Sequence, residues 1–192
     1  DGHWNGCLSL PRRIALDDSN QVQITPIKAL EKLRGDHSRV GGSISSSKAR
    51  TGEDLPEIRG NCLEIVARFR LGTGAKVGFT LEDDDRARVI LFDSATNRMR
   101  CIDDRSTLER VDDLQELCFH LFLDHSVVEV FINDRVTFTS WFRPILVGGG
   151  ELGIRPILDG EEIDYEIGVW KLAADGVVDA GVWELQGDSA AE

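Results

Sequence analysis

An all-β fold is predicted, a two-sheet antiparallel β-sandwich of jelly-roll or lectin-like type with one short helix. Three observations predict it. Apolar residues alternate with a period of two through most of the chain, turn-forming clusters recur at roughly ten-residue intervals, and helical periodicity is almost absent.

The first regular element in chain order is the helix. Thr25-Pro26 suits its N-cap and first position, Ile27, Leu30 and Leu33 follow at spacings of three, and Gly35 stops it after about ten residues. The stretch from Gly41 to Glu57 reads as a weak strand or an exposed loop. In residues 62–70, Leu63, Ile65, Ala67 and Phe69 make a core face opposite Cys62, Glu64, Val66, Arg68 and Arg70. Strands over 76–81, 87–93 and 98–103 follow, separated by Asp83-Asp84-Asp85 and Ser94-Ala95-Thr96-Asn97. Residues 117–141 predict a three-stranded meander. Leu117, Phe119, Leu121 and Leu123 share one parity, turns fall at Asp124-His125-Ser126 and Asn133-Asp134-Arg135, and Val128, Val130 and Ile132 resume the pattern. Phe122 and His120 lie on the opposite parity, so that second face is expected to be covered. After Gly148-Gly149-Gly150, Glu151–Ile154 and Ile163–Leu172 complete the series. The sandwich is thus assigned to residues 1–173, and 174–192 to an acidic tail with one short docking strand around Val182–Leu185.

A chain of 192 residues has core enough to fold without disulfides or a structural metal. Its formal charge is 22 − 34 = −12, which repels phosphate backbones and anionic lipid, so neither nucleic acid nor a membrane surface is an expected partner. No apolar run approaches membrane-spanning length, and Asp1-Gly2-His3-Trp4 does not open a signal peptide. Cys7, Cys62, Cys101 and Cys118 form no C-x-x-C pair and read as reduced, buried thiols, with zinc unexpected at these spacings. Together with the absence of an Asn-x-Ser/Thr sequon, they lean towards a reducing interior but leave the compartment open.

Several constellations invite chemistry and are weaker than they look. Asp124-His125-Ser126 holds the residue types of a hydrolytic triad, but neighbours in a tight turn splay apart. The acidic clusters Asp83–Asp85, Asp103–Asp104, Asp112–Asp113 and Glu161–Glu162 lack EF-hand spacing and read as solvated turns. Glycoside hydrolysis needs two opposed carboxylates, and an acid-rich chain supplies many without selecting a pair. Trp4, Trp141, Trp170 and Trp183 would suit sugar stacking, although strand positions favour packing for Trp141 and Trp170. Gly72-Thr73-Gly74 lies between strands with no helix after it and is a hairpin turn, and Arg12-Arg13 is too small for a basic patch.

Two stretches carry a family likeness. One is Trp4-Asn5-Gly6-Cys7-Leu8-Ser9-Leu10-Pro11-Arg12 with Gln23-Ile24-Thr25-Pro26 and Leu30-Glu31-Lys32-Leu33-Arg34. The other runs from Phe122-Leu123-Asp124-His125-Ser126 through Val127-Val128-Glu129-Val130-Phe131-Ile132-Asn133. Together they resemble the C-terminal β-sandwich module of glycoside hydrolase family 32, the invertase, inulinase and levanase enzymes, over about residues 3–173.

The resemblance implies a non-catalytic accessory domain of a β-fructofuranosidase. In that family a five-bladed propeller carries the catalytic acids in W-x-N-D-P-N-G, R-D-P and E-C motifs. This chain has no Asp-Pro and no Glu-Cys, and its one Asn-Asp, Asn133-Asp134, lies at a turn. No catalytic, cofactor-binding or metal residue carries over, and no cofactor is implied. The expected partner is the propeller, in the same or a separate chain, with sucrose or fructan as substrate of the whole. Outward Phe122 suits a covered, propeller-facing surface, and such a surface left uncovered would favour self-association. The alternative is a free-standing lectin-like carbohydrate-binding module.

Overall fold

The computed structural model describes residues 8–44, 55, 57–84, 86–108, 116–141 and 150–173, with the backbone alone at 103–108. Its strands are β1 (Arg12–Leu16), β2 (Val22–Pro26), β3 (Arg34–Ile44), β4 (Ile58–Gly60), β5 (Cys62–Arg70), β6 (Lys76–Glu82) and β7 (Ala87–Asp93). They continue as β8 (Arg98–Cys101), β9 (Asp103–Leu108), β10 (Glu116–Asp124), β11 (Val127–Ile132), β12 (Val136–Trp141), β13 (Leu152–Asp159) and β14 (Ile163–Leu172). One six-stranded sheet has the order β12-β11-β10-β5-β14-β3, the other β4-β13-β6-β7-β8-β9, and β1 pairs with β2 as a separate ribbon. The pairings are antiparallel. The predicted sandwich is present.

Its core follows from the alternation. Leu63, Ile65, Ala67 and Phe69 of β5 and Leu117, Phe119, Leu121 and Leu123 of β10 point inward and are buried, as are Val77, Phe79 and Leu81 from the facing sheet. Phe119 sits between the layers, edge to face with Phe69 at 5.8 Å and with Phe79 at 6.1 Å. Such aromatic pairs add about 0.5–1.5 kcal/mol each beyond the area they bury.

Three predicted elements change. The helix is a six-residue 3₁₀ segment, Lys28–Leu33, because apolar residues spaced by three match its three-residue turn and not the α-helical 3.6. Thr25 and Pro26 belong to β2, where Pro26 pairs with Arg12. Gly35 does not end a helix in open chain but lies in β3, which starts at Arg34 and pairs with β14 along its length. The strand expected over 98–103 is two strands, divided at Ile102, whose φ of 45° breaks the ladder. The predicted acidic tail, 174–192, lies outside the described residues, as do Trp4, Cys7, Asp85, Asp112–Asp113 and Trp183.

Candidate functional site

The outward face of the β12-β11-β10-β5-β14-β3 sheet carries the chemistry. Register places Trp170, Glu64, Phe122, Glu129 and Thr139 in one cross-strand row, with Gly168, Val66, His120, Phe131 and Thr137 in the next. A solvated sheet face would be polar and exposed. Here Glu64 is 1% exposed, Glu129 2% and Phe122 3%.

Glu64 is held from two sides. Arg34, at the start of β3, donates from Nε and Nη2 to the two carboxylate oxygens at 2.7 Å each, the bidentate geometry that a guanidinium offers a carboxylate. His120 Nε2 lies 2.6 Å from Oε1. Burial pushes the Glu64 carboxyl up, but the bonds from Arg34 and His120 outweigh it and hold its pKa below the ordinary 4.5. Glu64 raises the pKa of Arg34 in return. Arg34 also lies over the Trp170 ring at 4.4 Å, and His37 stacks on that ring at 4.4 Å. Gly168 makes room for this stack, since a Cβ there would stand 3.1 Å from the Trp170 ring.

Glu129 is held by the N-terminal segment. Leu10 N–H donates to Oε1, and Arg12 Nη2 donates to Oε2 at 2.7 Å. Arg12 also donates to Thr137 at 3.1 Å and to Thr139, and it lies over Phe131 at 5.4 Å. The ribbon is tied further by Ile24 N–H to Asp134 O at 2.7 Å and by the Arg135–Asp17 ion pair. Pro26, Ile27 and Leu30 line one wall, and Phe122 and His120 the other, of a cavity of about 240 Å³. Phe122, expected to mark a propeller-facing surface, is instead covered by this chain's own ribbon and 3₁₀ segment.

The ribbon and the segment before it leave apolar residues exposed. Leu8 is 96% exposed, Ile14 72% and Leu16 63%, and Val22 is exposed beside Leu16, its register partner. At the other end of the sheet face, Arg68, Arg70, Glu116, Asn133, Asp164 and Glu166 line an open groove of about 580 Å³.

As chemistry, the Glu64–Glu129 pair is ill-suited to breaking a glycosidic bond. The two lie on strands flanking β10, so their backbones are about 9–10 Å apart with Phe122 between them. A general acid needs a raised pKa, whereas Glu64 is moved the other way. Each carboxylate already carries an arginine.

The Asp124-His125-Ser126 turn does bring Asp124 and His125 together, Oδ1 to Nδ1 at 3.0 Å. It also sets His125 Nδ1 3.4 Å from Cys62 Sγ. Asp124 and Cys62 both approach the ring most closely at Nδ1, and Cys62 Sγ lies 4.0 Å from Nε2, so the relay of a triad, with one partner bonded to each nitrogen, is not assembled. Asp83 is a turn residue whose carboxylate accepts the Arg86 N–H at 2.8 Å. Trp170 is engaged by His37 and Arg34, while Trp141 is half-exposed. Sequence reasoning missed Glu64, Glu129, Arg12 and Arg34 as a group. The one available signal was a charged residue within a strand opposite an aromatic on the same parity.

A family model for the C-terminal domain of glycosyl hydrolases family 32 matches residues 29–170. Sucrose-6-phosphate hydrolase of Zymomonas mobilis is 24% identical over 147 residues, covering 70% of this chain and 27% of the relative. A levanase of Bacillus sp. is 29% identical over 163 residues, covering 73% of this chain and 17% of the relative. The chain thus spans about a quarter or less of these relatives. Among solved structures, fructan 1-exohydrolase IIa of Cichorium intybus aligns with TM-score 0.61 at 16% identity, over 85% of this chain and 40% of that one. A Bombyx mori β-fructofuranosidase aligns with TM-score 0.61 at 18% identity, over 85% and 32%. At these identities the structural likeness speaks for the fold, and the matched family model makes the assignment: the chain belongs to glycosyl hydrolases family 32, as that family's C-terminal domain.

Proposed function

We infer that this chain is the non-catalytic β-sandwich of a β-fructofuranosidase-type enzyme, supporting a five-bladed propeller that cleaves sucrose or fructan. The observation that carries this reading is the ribbon. Its Arg12–Pro26 end is bonded to the sheet through Glu129, and its Leu16–Val22 end presents Ile14, Leu16 and Val22 to solvent. A clustered apolar surface of this kind suits a domain partner. The reaction would be retaining hydrolysis through a covalent fructosyl intermediate, carried out by acids on the propeller.

The relatives' names, sucrose-6-phosphate hydrolase and levanase, set the substrate class to test. The purified chain, incubated with sucrose, inulin and levan, is expected to release no fructose. Turnover that copurifies with the chain and falls in Glu64→Gln or Glu129→Gln would overturn the reading. The lectin-like alternative has one feature in its favour, the open polar groove between Arg68 and Glu166. Millimolar or tighter binding of fructo-oligosaccharides by calorimetry, abolished by Arg70→Ala, would favour it over a purely supporting role.

A further inference from the structure

We propose that Cys62, Asp124 and His125 form a binding site for a single borderline divalent cation, with zinc the best fit. The site is separate from the Glu64 and Glu129 clusters and independent of the inferred role of the domain.

The geometry is that of one face of a coordination tetrahedron. Cys62 Sγ lies 3.4 Å from His125 Nδ1 and 3.9 Å from Asp124 Oδ1, and Nδ1 and Oδ1 are 3.0 Å apart. Zinc bonded to sulfur at about 2.3 Å and to nitrogen and oxygen at about 2.0–2.1 Å requires tetrahedral edges of about 3.3–3.6 Å. Cys62 Sγ also lies 4.0 Å from His125 Nε2, over the ring, so a turn of the imidazole that aims the Nδ1 lone pair at the ion, with shifts of a few tenths of an ångström, brings all three atoms to bonding distance. Asp124 and His125 are both largely exposed, which leaves water free to reach the ion.

The backbone holds this triangle. Asp124 is the direct register partner of Cys62 across the β10–β5 pair. His125 follows at φ 50°, a left-handed conformation at the start of the turn into β11, and its N–H donates to Asn61 O at 2.7 Å. Asn61 is fixed in turn, with Nδ2 donating to Gly150 O at 3.1 Å and Oδ1 accepting from Leu152 N–H at 3.2 Å. The ligands thus come from two paired strands and a turn whose backbone is fixed by hydrogen bonds.

The donor set selects the ion. One thiolate, one imidazole and one carboxylate suit zinc, and the all-oxygen preference of magnesium and calcium is not met. Binding replaces the thiol proton, so each ion taken up releases one proton from Cys62 and requires His125 Nδ1 to be unprotonated, with the ring proton on Nε2. Burial and the neighbouring Asp124 charge hold the Cys62 thiol above its ordinary value, and a bound dication reverses the sign of the local field.

The test uses the full 192-residue chain, reduced and stripped of metal. Cobalt is titrated first, since it substitutes for zinc and gives a thiolate-to-cobalt charge-transfer band. Zinc is then measured by competition with a chromophoric chelator. One ion per chain is expected, with zinc displacing cobalt. Cys62→Ser should abolish the band and weaken zinc binding by about a hundredfold or more, at least what loss of an outer-shell partner costs. His125→Asn, a residue that tolerates the left-handed backbone, should weaken binding similarly at unchanged melting temperature. It keeps the test decisive if Cys62→Ser folds poorly. Cys118→Ser should change nothing. Absence of a charge-transfer band in the parent chain, binding that survives His125→Asn, or a band lost in Cys118→Ser would each overturn the proposal.

Discussion

Glu64 and Glu129 lie on either side of Phe122, on the same sheet face, and each is buried against an arginine. The partners come from different places. Arg34 and His120, which hold Glu64, belong to β3 and β10 of the same sheet. Arg12 and the Leu10 amide, which hold Glu129, belong to the N-terminal segment. The same carboxylate–guanidinium contact therefore performs two tasks. At Glu64 it joins the first residue of an edge strand to the sheet interior, and at Glu129 it fastens a separate ribbon over that sheet.

The difference can be broken first at Arg34. Arg34→Ala leaves Glu64 buried with His120 alone and removes the cation over Trp170, and a loss of about 3–5 kcal/mol is expected in urea unfolding. Replacing both partners with apolar residues, Arg34→Met with Glu64→Leu, should recover most of it. Arg12→Ala is expected to cost less, about 1–3 kcal/mol, and to act locally. Amide exchange over residues 12–26 should accelerate while β5 and β10 stay protected. If β5 amides accelerate equally, ribbon and sheet are one cooperative unit and the distinction fails.

Acid sharpens the comparison further. The folded Glu64 carboxyl lies below its ordinary 4.5, so the native state binds fewer protons than the unfolded state. Its contribution is fully present above about pH 4.5 and is lost as pH falls through the lower folded value. Glu64→Gln should flatten the acid limb of a stability–pH curve, and an unchanged limb would place the main titrating group elsewhere. The smallest effect is expected at the ribbon's exposed end. Ile14→Ser and Leu16→Ser should each change the stability of the isolated chain by no more than about 0.5 kcal/mol, while lowering self-association measured by sedimentation.

The interior of this fold was legible because burial of one sheet face imposes a strict alternation. Strands β5 and β7 match their expected spans, and the meander over 117–141 is present. The outer layer was not legible. Strand β3 contains Gly35, Gly41 and Gly42, which carry no side chain to show a period, and it is defined by pairing with residues 119–138 positions later. Arg12 and Arg34 looked like ordinary surface charges, since only folding sets them beside Glu129 and Glu64. Cys62 was separated from His125 by 63 positions and shared no spacing motif with it. In each case the partner was supplied by register between segments distant in sequence.

Strand β5 has its two neighbours, β10 and β14, far downstream in the chain. During synthesis, both of its edges emerge long before either mate exists, and one stays open until Leu172 has left the ribosome. Loop closures of this length make folding slow and leave an aggregation-prone nascent form. A translational pause inside residues 150–173 should prolong that exposure, whereas the same pause in the first forty residues should be harmless.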